Sequence, residues 1–325
     1  MTKIFITAKM PAVVTDNLKA HLLAQNPQIE LESYQGTGLI SQSELKQELT
    51  DTDYAITTLS TQVGADVLAQ AQRLKLIANF GAGFNNIDVQ AAKKAGIIVT
   101  NTPGVSTTSV AEVTLGTYLA LYHRIVEGDA LMRTTGFAGW QPTFFLGHDL
   151  KNKTVGIVGM GHIGQAVAER ARAFGMHILY TQHHQLSADR ERTLDATFVP
   201  FEKLIQASDI VSLHAPLTAD NHHLVDANVL AQMSKQAVIV NMARGPLIDE
   251  QALVDALQAK KIAGAALDVY EFEPQVNAQL KTMSNVVLTP HLGNATVEAR
   301  DAMGMIVAEN VMLAYQGKQP KFQVN

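Results

Sequence analysis

The chain has 325 residues, more than one ordinary core organises and enough for two domains. Apolar residues make up 47% and charged residues 17%, a globular profile, and the complete lack of cysteine excludes disulfide and thiolate chemistry. A net charge of −5 without a basic run argues against nucleic acid or an anionic membrane surface as partner, and no apolar run reaches the ~20 residues of a membrane span.

The first residues enter a strand-like stretch, KIFIT (3–7), with no signal-type segment, so a cytoplasmic enzyme is expected. Further strands are predicted at YAITTL (54–59), LKLIANF (74–80), TVGIVG (154–159), HILY (177–180), IVSLH (210–214), AVIVN (237–241), GAALDV (264–269) and VVLT (286–289). Amphipathic stretches alternate with them, which predicts an α/β chain with two Rossmann-like or flavodoxin-like parallel-sheet domains and a cleft between them. Pro and Gly break strand ends at NTPG (101–104) and LTPHLG (288–293), where the chain is expected to cross between domains. One domain is then discontinuous, 1–103 with 293–325, and a dinucleotide-binding domain spans 104–292. Residues 109–126, SVAEVTLGTYLALYHRIV, are apolar around much of a helix. That pattern fits either a partner subunit or burial against the chain's own sheet.

TVGIVGMGHIGQAVAERARAFG carries Gly159, Gly161 and Gly164 in G-x-G-x-x-G spacing between a strand and a helix. The first glycine permits a tight turn, the second lets backbone approach a pyrophosphate, and the third lets helix pack on strand. With His162 and Ile163 they form the expected cofactor turn, and the helix N-terminus presents N–H groups to phosphate. Ile163, Val167, Ala171 and Phe174 recur on one helical face, and Gly175 closes the helix. After the next strand an acid ordinarily grips the adenosine ribose, but here the run reads Gln182, His183, His184. Gln182 and His183 are therefore candidate contacts to the adenosine end, and NAD(P)H is expected with a lean towards NADP(H).

Ligands in open parallel sheets bind beyond the carboxyl ends of the strands. There the sequence places Arg244 after AVIVN, Glu273 after GAALDV and His291 after VVLTP. Each alone reads as surface charge or a loop residue; together, beside a nucleotide turn, they suit reduction of a carbonyl. An imidazole can donate to the developing oxyanion, a carboxylate can fix its tautomer, and an arginine fork can hold a substrate carboxylate. A small 2-oxo or 2-hydroxy acid is implied, and the N–H groups of Ala82 and Gly83 can take the other side of its carboxylate.

GAGFNNIDVQAAKKAGIIVTNTPGV, GIVGMGHIGQAVA, NMARGPLID, AGAALDVYEFEP and TPHLGNAT resemble the D-isomer-specific 2-hydroxyacid dehydrogenases, in family order along nearly the whole chain. WQPTFFLGHDLKNKTVGIVG is similar to the glyoxylate/hydroxypyruvate reductase branch. The resemblance implies that Arg244 binds substrate, that His291 is the acid/base and that Glu273 is its partner. It also implies that Met242, Ala243 and Asp268 line the nicotinamide side and that Ala215 and Thr107 add cofactor contacts. A homodimer is implied too, with Trp140 reaching the partner's substrate pocket or simply anchoring the interface.

Phosphoglycerate-acting relatives carry a basic residue where Asn79 stands and often append a regulatory domain, so phosphoglycerate dehydrogenase is the weaker alternative. Formate-acting relatives have Gln in place of Glu273. Phe84, Phe144 and Phe145 suggest room for an uncharged substrate side chain. A nicotinamide-sensing, corepressor-like binding protein is the alternative from another class. A metal is not expected: no HExxH occurs, and the adjacent pairs His183–His184 and His222–His223 are expected to point apart.

Overall fold

The computed structural model describes residues 1–325, which form two compact units, Met1–Ser106 with Thr296–Asn325, and Thr107–Ala295. Each crossing falls three residues beyond the expected position. The NTPG segment stays with the first unit because Thr102 N–H donates to Gly81 O at 3.0 Å and Asn101 N–H to Phe322 O at 3.2 Å. At the second crossing Gly293 is retained by Asp268, and the change comes at Thr296, whose side chain caps the last helix. No helix is long and apolar enough to cross a membrane.

In the first unit the chain runs β1 (Lys3–Ile6), α1 (Ala12–Leu18), β2 (Glu30–Ser33), α2 (Gln42–Leu49), β3 (Tyr54–Thr58), α3 (Ala65–Leu68), β4 (Leu76–Phe80), α4 (Val89–Lys94) and β5 (Ile98–Thr100). Its sheet is parallel in the order β2-β1-β3-β4-β5, the flavodoxin-type order. Both faces are covered, so after Lys3 β1 reads as the apolar run IFI, whose Ile4 and Ile6 enter one core and whose Phe5 enters the other.

The second unit contains α5 (Thr107–Tyr122), α6 (Ile125–Arg133), β6 (Thr154–Val158), α7 (His162–Ala173), β7 (His177–Thr181), α8 (Ala188–Leu194), β8 (Ala196–Phe198), α9 (Phe201–Ala207), β9 (Ile210–Leu213), α10 (Ala227–Gln232), β10 (Val238–Asn241), α11 (Glu250–Gln258), β11 (Gly264–Leu267) and β12 (Val286–Leu288). Its sheet is parallel in the order β12-β11-β10-β9-β6-β7-β8. Counted from β6 this is the Rossmann order with a seventh strand, and the order reverses between β6 and β9. The chain then closes the first unit with α12 (Val297–Tyr315), whose Met303, Val307, Ala308 and Val311 enter the core shared with β1 and α1.

Three strands lie where none was expected. β2 is the half-buried charged edge ELES, and β5 and β8 have three residues each. The helix expected over 109–126 breaks at Arg124, which takes a left-handed φ of 54°. Val110, Leu115 and Tyr118 of α5 are buried against their own sheet, so burial accounts for that helix's apolar content. In α7 the buried residues are Gly164, Val167, Ala168 and Ala171. Phe174, expected on that face, lies beyond the last turn at 44% exposure.

Candidate active site

The glycine turn lies where the strand order reverses. Gly159 has φ 95°, and a Cβ there would lie 2.6 Å from Ala215 N, so the turn presses against the end of β9. A side chain at Gly164 would strike Gly159 O, whereas Gly161 faces open space. Two glycines are thus fixed by packing and the middle one leaves the room a pyrophosphate needs at the N-terminus of α7, near His162 and Ile163. These residues fit a dinucleotide.

Gln182 follows β7, and its Oε1 accepts Met160 N–H of the turn at 3.1 Å while Nε2 donates to His184 O at 2.6 Å. Instead of an acid facing a ribose, an amide ties the turn to the following loop. His183 is exposed. Arg190, a cation the sequence reading passed over, is bonded to Gln165 at 2.6 Å and Glu169 at 2.9 Å.

Strand register sets the chemical groups level with one another. Asn241 pairs with Leu213 on one side and Leu267 on the other, and Leu267 pairs with Leu288. Arg244, Glu273 and His291 therefore leave the same edge of one sheet. His291 Nδ1 lies 3.0 Å from Glu273 Oε2, and Glu273 Oε1 accepts Tyr270 N–H at 3.0 Å. Burial alone pushes the Glu273 carboxyl up. The hydrogen bond and charge of His291, the Tyr270 N–H and the Arg244 charge outweigh it, leaving Glu273 below the ordinary range. Burial draws the Arg244 guanidinium down, and the Glu273 charge opposes that.

Two buried side chains that the sequence reading missed or read differently hold these loops. Asn241 donates Nδ2–H to Arg244 O at 2.9 Å and accepts Ala243 N–H at 3.0 Å, fixing the turn that carries Met242, Ala243 and Arg244. Asp268, implied for the nicotinamide side, accepts Thr289 Oγ1–H at 2.6 Å, Leu292 N–H at 2.8 Å and Gly293 N–H at 2.8 Å. Its carboxylate clamps the loop of His291, whose φ is 52°. Gly245 leaves no space for a side chain against Tyr270 and the Glu271 backbone.

In the first unit Asn79 is fully buried. Its Nδ2 donates to Gly83 O at 2.8 Å, and Asn101 Nδ2 donates to Ala82 O at 2.7 Å. Two amides thus hold the carbonyls of the Ala82–Gly83 loop. A buried, bonded Asn79 is a scaffold for that loop.

His222 and His223 correct an expectation. Their rings lie 4.0 Å apart, tilted by 34°, because His223 takes a left-handed φ of 53° that folds the second ring back beside the first. Alternation holds only for extended backbone. Trp140 is 83% exposed, in a segment that also exposes Ile125, Val126, Met132, Phe137, Phe144 and Leu146. Phe144 stacks on Phe137, and Phe145 lies under the Arg124 guanidinium. Thr107 is the first residue of α5. A cavity of about 410 Å³ opens at the opposite, amino-terminal strand ends, lined among others by Tyr122, His148, Lys153, Val238 and Gly264. It contains none of Arg244, Glu273, His291 or the glycine turn.

Comparison with known proteins agrees with this geometry. The family described as D-isomer specific 2-hydroxyacid dehydrogenase, NAD binding domain, matches residues 115–293. A provisionally named 2-hydroxyacid dehydrogenase of Staphylococcus epidermidis is 47% identical over 325 residues, covering 100% of both chains. The solved structure of a Thermus thermophilus protein is similar with a TM-score of 0.92 at 36% identity, covering 100% of both chains. That of a glyoxylate reductase from Paecilomyes thermophila reaches 0.86 at 31% identity, covering 99% of this chain and 98% of that one. The chain belongs to the D-isomer specific 2-hydroxyacid dehydrogenases, oxidoreductases that act on the CH–OH group of a donor with NAD or NADP.

Proposed function

We propose that the protein reduces a small, unphosphorylated 2-oxo acid, of the size of glyoxylate or hydroxypyruvate, to the 2-hydroxy acid. The observation that carries the reading is the 3.0 Å His291–Glu273 pair with Arg244 in its electrostatic field. When bound, a nicotinamide supplies hydride to the carbonyl carbon. Arg244 holds the substrate carboxylate in a two-pronged contact and polarises the adjacent carbonyl. With Nδ1–H donated to Glu273, His291 presents Nε2–H, which passes its proton to the carbonyl oxygen as negative charge grows there. Glu273 stabilises the imidazolium before the transfer.

Gly159, Gly161, His162, Ile163 and Gly164 serve the phosphates, with Ala215, Met242, Ala243, Asp268 and Thr107 towards the nicotinamide. The N–H groups of Ala82 and Gly83 are retained as substrate contacts, supported by the amides that fix their carbonyls. The lack of an acid at Gln182 supports NADP(H) as the preferred cofactor. The exposed apolar residues between Ile125 and Leu146 support a homodimer in which Trp140 meets the partner. Turnover of a 2-oxo acid panel with NADPH and NADH tests the reaction. Failure with every acid at saturating cofactor would leave a nicotinamide-sensing protein instead. Light scattering tests the dimer, and a monomer at micromolar concentration refutes it.

A further inference from the structure

We propose that His222, His223 and Glu271 form a binding site for a divalent metal ion of the zinc class, separate from the groups that carry the reduction. One ligand atom from each residue lies within 4.8 Å of the others. Tetrahedral zinc with bonds of ~2.0–2.2 Å to nitrogen and oxygen spaces its ligand atoms ~3.3–3.5 Å apart, so small side-chain rotations suffice. His223 Nε2 and Glu271 Oε1 already meet at 2.7 Å, and the left-handed backbone at His223 brings the His222 ring to the same side.

The loops behind these ligands are tied down, as the partners of metal ligands are. Glu271 Oε2 accepts Glu250 N–H at 3.1 Å, Glu271 N–H donates to Glu250 Oε2 at 3.1 Å, and His223 N–H donates to Pro246 O at 2.8 Å. A left-handed non-glycine residue is strained, and such strain concentrates at ligand clamps. Two imidazoles with one carboxylate suit zinc, cobalt or nickel and not magnesium, which takes oxygen ligands. Exposed His222 leaves one side open for water to complete the shell. A bound ion joins the loop before α10 to the one carrying Glu271, two residues from Glu273.

The test uses the full chain without a histidine tag, stripped by a chelator and titrated with CoCl2 while its visible absorption is followed. The expected result is one equivalent of cobalt with an intense tetrahedral-type band, displaced by ZnCl2 and not by MgCl2. His222→Ala touches an exposed ring outside the reducing set, so its turnover stays at the parental value. It is expected to weaken cobalt binding at least as much as loss of an outer-shell partner does, ~10- to 100-fold. Glu271→Gln keeps an acceptor for Glu250 N–H and is expected to weaken binding similarly. No stoichiometric binding, or binding unchanged in both variants, overturns the site.

Discussion

The Asp268 carboxylate accepts the backbone N–H of Leu292 at 2.8 Å, one residue beyond His291. The proposed acid/base is therefore aimed by a side chain on a neighbouring strand end. Asp268→Asn keeps the shape but replaces one acceptor with a donor facing backbone N–H groups, which shifts the loop. Misplacement by ~1 Å costs on the order of 10²-fold in turnover, and kcat is expected to fall by about that factor below the melting temperature, which itself drops because buried N–H groups lose their acceptor. Steady-state kinetics beside thermal melts decide this. A parental kcat would show that the clamp does not aim His291.

His291→Ala removes the proposed proton donor. Turnover is expected to drop by ~10²- to 10⁴-fold while NADPH or NADH binds as before, because the glycine turn is untouched. Fluorescence titration of the reduced cofactor, read beside kcat, separates the two effects. Full activity in this variant ends the acid/base assignment.

Arg244→Lys keeps the charge and loses the planar fork. KM for the 2-oxo acid is expected to rise and kcat to fall together, because a point charge neither grips both carboxylate oxygens nor polarises the carbonyl in a fixed geometry. Unchanged kinetics would mean that the substrate carboxylate is held elsewhere.

Gln182→Glu is close to isosteric and retains an acceptor for Met160 N–H, which keeps the glycine turn, although the bond to His184 O is lost. The new charge repels a 2′-phosphate, and the NADPH-to-NADH ratio of kcat/KM is expected to fall by about tenfold or more, ~1.4 kcal/mol. An unmoved ratio would show that the adenosine end does not approach this residue.

His214 titrates against the fold. Its Nδ1 is buried without a hydrogen-bond partner, its Nε2 meets Ser212 Oγ at 2.8 Å, and burial pushes its pKa down from 6.5 to about 4. As pH falls through 6.5 the unfolded chain takes up this proton and the folded chain does not. Stability present above pH 6.5 is therefore lost down to about pH 4, by about 3 kcal/mol from this group, and levels off below. Denaturant unfolding from pH 7 to pH 4 is expected to show a shallower loss in His214→Gln than in the parent. Parallel curves would remove His214 as the cause.

What the sequence disclosed was whatever depends on short-range pattern. The glycine turn is legible because its spacing, strand and helix are contiguous, and the apolar runs of β1, β4 and β10 mark a sheet covered on both faces. ELES escaped because a half-buried edge strand carries charges like a loop. The scaffolding roles of Asn79 and Asn241 escaped for a related reason. An amide's value lies in the carbonyl it reaches, and nothing in neighbouring letters says that Asn79 meets Gly83 or that Asn241 meets Arg244. The histidine pair was misread because a positive φ at a residue other than glycine leaves no compositional trace. Arg244, Glu273 and His291 could be named from strand-end position, and the partnership of Glu273 with His291 came only from the family resemblance; the 3.0 Å contact itself shows in the structure, where β11 and β12 pair side by side.

The crossing of the chain at Ser106 and its return at Thr296 set an order of completion during synthesis. Everything Thr107–Ala295 needs for its core is contiguous, so that unit can close as soon as it has emerged. The first unit, although made earlier, lacks α12 until the last residues arrive, and Val14, Leu18 and Ile56 wait for Met303, Val307 and Val311. The part of the protein that starts first is the part that finishes last, and in the interval its exposed apolar face is what a chaperone would meet.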